Sequence, residues 1–274
     1  MKRSKVVIGI FVALILVVLT IVLLAFTVFV VRDVQVEAAV SSHLIDEAKI
    51  IESSGLTRGK NIISIDKSRV IADIEKENPY VEITNVERDF PSKVIIHATV
   101  RTGIMLLPSE DGANAAVIDS SAKVLNVLSA ADAAKVGVTT VSGLAFRVPP
   151  EGVISLVGST VSFTNESCGK ILKDIATAAA DPNLDVSGTS FRTLFRSIDF
   201  VAGEGITAYV QTNKGVTLVL DSTLSTSIYQ QLYTCLYFYA SEDVEIDRTR
   251  GYIILDRDSD HVAYKWVASI GESN

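Results

Sequence analysis

The sequence is short of the residues from which catalytic and metal sites are usually built. Its 274 residues include three histidines and two cysteines. His43, His97 and His261 lie far apart in the chain, so none has the close spacing of a metal-binding pair. No serine stands in the G-x-S-x-G frame of a hydrolase. These absences predict a protein that is not an enzyme and that holds no metal or cofactor.

Two cysteines are too few for a framework of disulfide bonds. Cys168 and Cys235 could form a single bridge in an oxidising compartment. They could equally be small buried thiols of a hydrophobic core. The sequence favours buried thiols without deciding between the two.

Charge is absent from one long stretch near the N-terminus. No charged residue lies between Val6 and Val31, and this run exceeds the roughly 20 residues that a bilayer-spanning helix needs. Lys2, Arg3 and Lys5 precede it, which predicts a cytoplasmic N-terminus and an exported body. A cleaved signal peptide is the alternative, but its apolar core usually runs about 7–15 residues. We therefore expect one uncleaved transmembrane helix.

The exported body is acidic. The whole chain has a formal net charge of −7, and its cationic N-terminal tail makes the remainder more acidic still. This balance argues against nucleic acid as a partner and against adsorption of the body on an anionic lipid surface.

Hydrophobic periodicity predicts a small α+β domain directly after the apolar run. The pattern favours strands at residues 34–37, 80–88 and 93–100. Between the first two strands it favours two helices, one capped by Ser41 or Ser42 and one capped by Asp66. Four residues are expected in turns or at the ends of helices: Gly55, Gly59, Pro79 and Pro91.

The second half of the chain reads as a sheet with two long helices. One helix is predicted after Asn165 and another over residues 222–240. Strands are predicted at residues 197–201, 207–211 and 216–220, followed by a hairpin of residues 252–255 and 262–266. Tyr229, Tyr233 and Tyr237 form one row on the second helix, which suits either core packing or a binding surface.

Several motifs resemble landmarks of one bacterial family. Ser-Gly-Leu-x-x-Gly-x-Asn-Ile and the Asn-Pro-Tyr-Val and Val-Glu-Arg-Asp-Phe-Pro segments resemble the loop and strand signatures of a POTRA domain. Downstream segments resemble the second domain of the FtsQ/DivIB division proteins, although Ala122 stands where that family has glycine. The motifs lie at residues 54–62, 78–81, 86–91, 117–119, 141–144 and 251–257.

The resemblance implies an α+β architecture with an N-terminal transmembrane helix. A small POTRA domain (βααββ) follows, and then a second mixed α/β sheet domain with two long helices. The predicted segments are a cytoplasmic tail (1–5), the transmembrane helix (6–31), the POTRA domain (32–101), a linker (102–115), the second domain (116–268) and a C-terminal tail (269–274).

The resemblance also implies a function. It predicts a membrane-anchored, non-enzymatic scaffold of the divisome in the cell membrane at the division septum. The expected partners are FtsL- and FtsB/DivIC-like proteins and, through them, the septal peptidoglycan synthase. The alternative is an envelope sensor or secretion component that uses the POTRA domain to bind polypeptide.

The partner site is expected near the C-terminus. If the strand at residues 251–257 lies near a sheet edge, a partner segment can add to the sheet as one more strand. The resembling family binds its coiled-coil partner in this way. The alternative is that these residues merely complete the core. The candidate residues are Tyr252, Ile254, Asp256, Arg257, Tyr264, Trp266, Tyr229 and Tyr233.

Overall fold

The computed structural model describes residues 2–148, 156–179, 181, 191–241, 243–256 and 263–270. The chain divides into two compact units, Met1–Arg101 and Thr102–Asn274. The elements of the first unit are α1 (Lys2–Thr27), β1 (Asp33–Ala38), α2 (Glu47–Ser53), α3 (Lys67–Glu77), β2 (Val81–Asp89) and β3 (Lys93–Val100).

After α1, the first unit has the predicted order of strand, helix, helix, strand, strand. Its sheet has the order β1-β3-β2, with β1 parallel and β2 antiparallel to β3. Alternate residues of β3, Val94, Ile96 and Ala98, are buried in one core with Ile50 of α2 and Ile74 of α3. The strand period of two therefore turns one face of the sheet towards both helices.

Helix α2 begins later than predicted. Its N-cap is Asp46, whose Oδ1 accepts a hydrogen bond from Lys49 N at 3.3 Å. Ser42 is instead engaged in a local turn, in which its hydroxyl accepts from Leu44 N at 3.2 Å. Ser and Asp are both good caps, so the sequence pattern could not choose between them.

The four residues expected in turns or at helix ends lie between elements of the first unit. Gly55 has φ 61° after α2, and Gly59 has φ 90° in the loop between α2 and α3. Pro79 lies between α3 and β2, and Pro91 lies in the turn between β2 and β3. Both glycines have backbone conformations that side-chain-bearing residues rarely adopt.

Helix α1 covers most of the uncharged run. The structure describes the side chains of residues 9–21, 23 and 27 of this helix. Within the described part of the chain, no helix meets both the length and the hydropathy that a membrane span requires. The span predicted at residues 6–31 therefore stays a prediction.

The second unit is built around one large mixed sheet. In the described part of this unit, nine strands pair in the order β12-β11-β10-β9-β8-β7-β4-β5-β6. Its strands are β4 (Met105–Pro108), β5 (Asn114–Ile118), β6 (Val124–Ser129), β7 (Thr139–Ser142), β8 (Phe195–Ala202), β9 (Ile206–Thr212), β10 (Thr217–Asp221), β11 (Tyr252–Asp256) and β12 (Ala263–Val267). Its helices are α4 (Ala130–Ala133), α5 (Glu166–Ala179), α6 (Phe191–Leu194) and α7 (Ile228–Ala240).

Residues 102–115 are not a linker, because they contain β4 and the start of β5. Strand β4 is buried on both faces: Met105 and Leu107 join the main core under α5 and α7, and Leu106 joins a smaller core with Ala133 of α4. A strand buried on both faces has no alternating pattern, so periodicity could not reveal it.

Helix α7 begins at Ile228, six residues after the predicted start. Asp221 Oδ1 accepts from Thr223 N at 2.8 Å, and Ser222 Oγ accepts from Ile206 N at 2.8 Å, so these residues form a turn. The helix then starts at a capping box of Ser227 and Gln230.

Two further details concern single residues of the second unit. Ala122 has φ 63°, a left-handed conformation that glycine, the residue of the resembling family at this position, adopts at lower cost. Cys168 and Cys235 are both buried and free, as the composition favoured.

Candidate partner-binding edge

One edge of the large sheet is β12, and β11, the strand considered near an edge from the sequence, is second from it. β11 pairs with β10 on one side and with β12 on the other. Among the residues that the structure describes, no strand pairs with the outer side of β12. The open edge therefore belongs to the strand that carries Tyr264 and Trp266, and the strand with Tyr252 and Ile254 is second from the edge.

The direction of the main-chain groups on β11 follows from its pairing with β10. The carbonyl oxygen of Gly251, directly before β11, accepts a hydrogen bond from Thr217 N of β10 at 2.9 Å. Because successive residues of a strand direct their main-chain groups to opposite sides, those of Ile253 face β10. The main-chain groups of Tyr252 and Ile254 consequently face β12.

The same alternation identifies the open groups of β12. Tyr252 and Ile254 are in register with Val267 and Lys265, so these pairs make the ladder hydrogen bonds. The main-chain N–H and C=O groups of Tyr264 and Trp266 therefore point towards the open edge.

The predicted partner residues divide between the two faces of the sheet. Tyr264 is in register with Leu255, and both side chains lie on the face that packs against α7. Trp266 lies on that face too. Tyr252 and Ile254 lie on the opposite face and are half-buried. The side chains of a strand added beside β12 would alternate in the same way, next to Tyr264 and Trp266 on one face and next to Lys265 and Val267 on the other.

Tyr264 belongs to the core rather than to an exposed surface. Its side chain is 7% exposed, and among the described residues its hydroxyl has no hydrogen-bond partner. Burial raises the pKa of the Tyr264 phenol above its ordinary value, and the neighbouring Cys235 thiol adds to this shift. Burial likewise raises the pKa of Cys235.

The side chain of Trp266 packs against the two residues that precede β11. Its indole Nε1 donates a hydrogen bond to Arg250 O at 3.0 Å. A Cβ atom added to Gly251, which has φ 91°, would lie 2.5 Å from that Nε1 atom. Trp266 therefore packs where only glycine leaves room, which ties the edge strand to the start of β11.

The three tyrosines in the row on α7 become more exposed towards the C-terminal end of the helix. Tyr229 is half-buried, and its hydroxyl donates a hydrogen bond to Asp181, which raises the pKa of Tyr229. Tyr233 is 40% exposed and Tyr237 is 70% exposed. Tyr237 was not among the predicted partner residues, although its place in the row could have identified it.

Two of the predicted residues cannot be assigned fully. Arg257 lies outside the described residues, and the structure describes the backbone of Asp256 but not its side chain. In the part of the chain that is described, no group of three or more His, Cys, Asp or Glu side chains could hold a metal ion.

Comparison with known proteins identifies the first unit. Residues 31–99 match the family model of the POTRA domain, FtsQ-type. No curated protein matches the chain at a significant level.

Proposed function

We propose that the chain is a membrane-anchored, non-enzymatic scaffold of the divisome. It links FtsL- and FtsB/DivIC-like partners and, through them, the septal peptidoglycan synthase. Residues 31–99 match the FtsQ-type POTRA domain, and this match supports assignment of the chain to the FtsQ/DivIB family of cell-division proteins. The match of residues 31–99 is the observation that carries this proposal.

The anchor is the helix α1. Its uncharged run, residues 6–31, is longer than a bilayer needs, and the cationic tail before it favours a cytoplasmic N-terminus. Apolar side chains are at least half exposed all along the described part of the helix, so they are available to lipid. The two compact units then lie outside the cytoplasm, at the septum.

The open edge of β12 supports a partner site in the second unit. A segment of an FtsL- or FtsB/DivIC-like protein adds to β12 and bonds the outward main-chain groups of Tyr264 and Trp266. Main-chain hydrogen bonds supply affinity without any requirement on the side chains of this chain. The β12 side chains next to the added strand, Lys265 and Val267 on one face and Trp266 on the other, supply specificity.

Residue-resolved amide hydrogen exchange of the full chain tests this partner site. Adding the FtsL- and FtsB/DivIC-like partners should slow exchange at Tyr264 and Trp266, whose N–H groups face the open edge. Lys265 and Val267 should change much less, because they already bond to β11. β6, at the other edge of the sheet, is the internal control. Unchanged exchange at Tyr264 and Trp266 would move the partner site elsewhere.

Depletion of the protein in cells, followed by microscopy, tests the wider proposal. Loss of a divisome scaffold should produce filaments without septa. Normal division combined with defective protein export would instead favour the envelope or secretion role.

A further inference from the structure

The loop between α2 and α3 is bonded to the chain directly after α1. Gly59 N donates to Val31 O at 2.9 Å, Val31 N donates to Lys60 O at 2.8 Å, and Ile62 N donates to Phe29 O at 3.0 Å. Phe29 is two residues beyond the end of α1 at Thr27, so their Cα atoms are at most about 7 Å apart. The loop therefore lies beside the end of α1.

The turn between β2 and β3 lies at the same place. Arg32 N donates a hydrogen bond to Ser92 O at 2.8 Å. The rings of Phe29 and Phe90 are in edge-to-face contact, with their centroids 5.9 Å apart. Two separate parts of the first unit thus meet around the short segment that leaves α1: the loop of residues 57–64, and the turn with its two strand ends at residues 89–93.

This end of the first unit exposes apolar side chains among cations. Ile63 is 53% exposed and Phe90 is 55% exposed. Arg58 and Lys60, in the same loop as Ile63, and Arg32, whose N bonds to Ser92 O, are exposed too. Apolar side chains surrounded by Lys and Arg are typical of segments that insert into the interface of a bilayer.

This end of the first unit has more cations than carboxylates: Arg32, Arg58, Lys60 and Lys93 outnumber Asp33 and Asp89. Asp33 and Asp89 are both exposed, and each is in register with Lys93, which lies between them on β3. The formal net charge of the whole chain is −7, so a cationic end is a local departure from an acidic protein.

We propose that this end of the first unit, residues 57–64 and 89–93, lies in the headgroup layer of the membrane that holds α1. Ile63 and Phe90 insert between lipids, and Arg58 and Lys60 contact anionic headgroups. The inference depends on the anchor proposed above. The hydrocarbon core takes about 20 helical residues and each headgroup layer is about 5–7 Å thick. A core of that length that begins at Val6 ends at Ala25, so the chain at Phe29–Val31 leaves the membrane through that layer.

The consequence is a fixed orientation of the first unit. β1 starts at Asp33, beside the membrane, and extends about 16 Å to Ala38. Val40 lies beyond that distal end and is 58% exposed. It is therefore a matched control, because it is an exposed apolar residue of the same unit that should stay in water.

Fluorescence of the full chain in vesicles tests the inference. Ile63→Cys, Phe90→Cys and Val40→Cys carry an NBD label, whose emission shifts to the blue on entering lipid. Cys168 and Cys235 are buried and should label poorly. In vesicles of phosphatidylcholine and phosphatidylglycerol, labels at 63 and 90 should shift to the blue and be quenched by shallow spin-labelled lipids. The label at 40 should do neither.

The role of the cations is tested separately. Quenching at position 63 should fall when phosphatidylglycerol is left out, and Arg58→Gln with Lys60→Gln should remove this dependence on lipid. The paired control, Lys49→Gln with Arg69→Gln, changes two exposed cations outside residues 57–64 and 89–93 and should leave the dependence intact.

The outcomes separate this inference from the anchor. Carbonate washing tests whether the chain is an integral membrane protein. Retention of the chain with unquenched labels at 63 and 90 would overturn the headgroup contact and leave the anchor standing. Release of the chain by carbonate would overturn the anchor, and this inference with it.

Discussion

Arg101 and Glu75 form a buried ion pair in which Arg101 Nη2 lies 2.8 Å from Glu75 Oε1. Their side chains are only 10% and 11% exposed. The same carboxylate oxygen accepts from Ile83 N at 3.0 Å, where the register of β2 shifts, and Arg101 Nε donates to Val81 O at 3.3 Å. The pair therefore joins α3 to β2 and to the residue that ends the first unit.

Replacing Arg101 by Met should destabilise the first unit by about 3–5 kcal/mol, because it leaves the Glu75 carboxylate buried without its cation. Native-state hydrogen exchange at β3 amides measures this loss for the first unit alone. Arg69→Met is the control, since its pair with Asp73 spans 3.7 Å and is exposed. That change should cost about 0–1 kcal/mol. Similar effects of the two changes would contradict the prediction.

Gly59→Ala should lower the stability of the first unit by about 1–2 kcal/mol. Gly59 has φ 90°, and side-chain-bearing residues are strained in left-handed backbone conformations. An added Cβ would meet no atom within 4 Å, so the cost comes from the backbone and not from a clash. Gly203→Ala is the control because Gly203 has open space and no left-handed φ. Thermal unfolding compares the two, and an unchanged melting curve for Gly59→Ala would refute the strain.

Stability should fall as the pH rises above about 10, partly because of Tyr264. Burial raises the pKa of the Tyr264 phenol. Above pH 10 the unfolded phenol releases its proton while the folded one keeps it, so the unfolded state gains stability. Tyr264→Phe should reduce this alkaline loss and cost little at pH 7, because the hydroxyl has no hydrogen-bond partner among the described residues.

The measurement for Tyr264 is urea unfolding at a series of alkaline pH values. Tyr237→Phe is the matched control, since Tyr237 is 70% exposed and should not alter the pH dependence. An identical alkaline loss in Tyr264→Phe and in the unchanged chain would argue against the assignment.

Gln231→Leu should destabilise the second unit strongly. Gln231 is fully buried; its Oε1 accepts from Asp221 N at 2.9 Å, and its Nε2 donates to Asp221 O and Thr226 O, each at 2.8 Å. Each buried backbone group left without a partner costs about 1–3 kcal/mol. Hydrogen exchange in α7 and β10 measures the loss. Tyr237→Leu, on the exposed side of α7, should change stability by less than about 0.5 kcal/mol.

The sequence by itself determined most of the first unit. Alternation along residues 93–100, the capping residue Asp66 and the glycines at 55 and 59 specify local structure through contacts between near neighbours. The Arg101–Glu75 pair was not predictable in this way, because its partners are 26 residues apart and meet only when α3 packs on the sheet.

In the second unit, only the tertiary structure decided which groups face a partner. Periodicity predicted the hairpin of β11 and β12, since its strands are close in sequence. It could not show that β11 pairs in parallel with β10, a strand across α7, and this pairing leaves β12 as the edge. Strand order depends on contacts between distant segments, and the hydrophobic period of a strand carries no information about its neighbour.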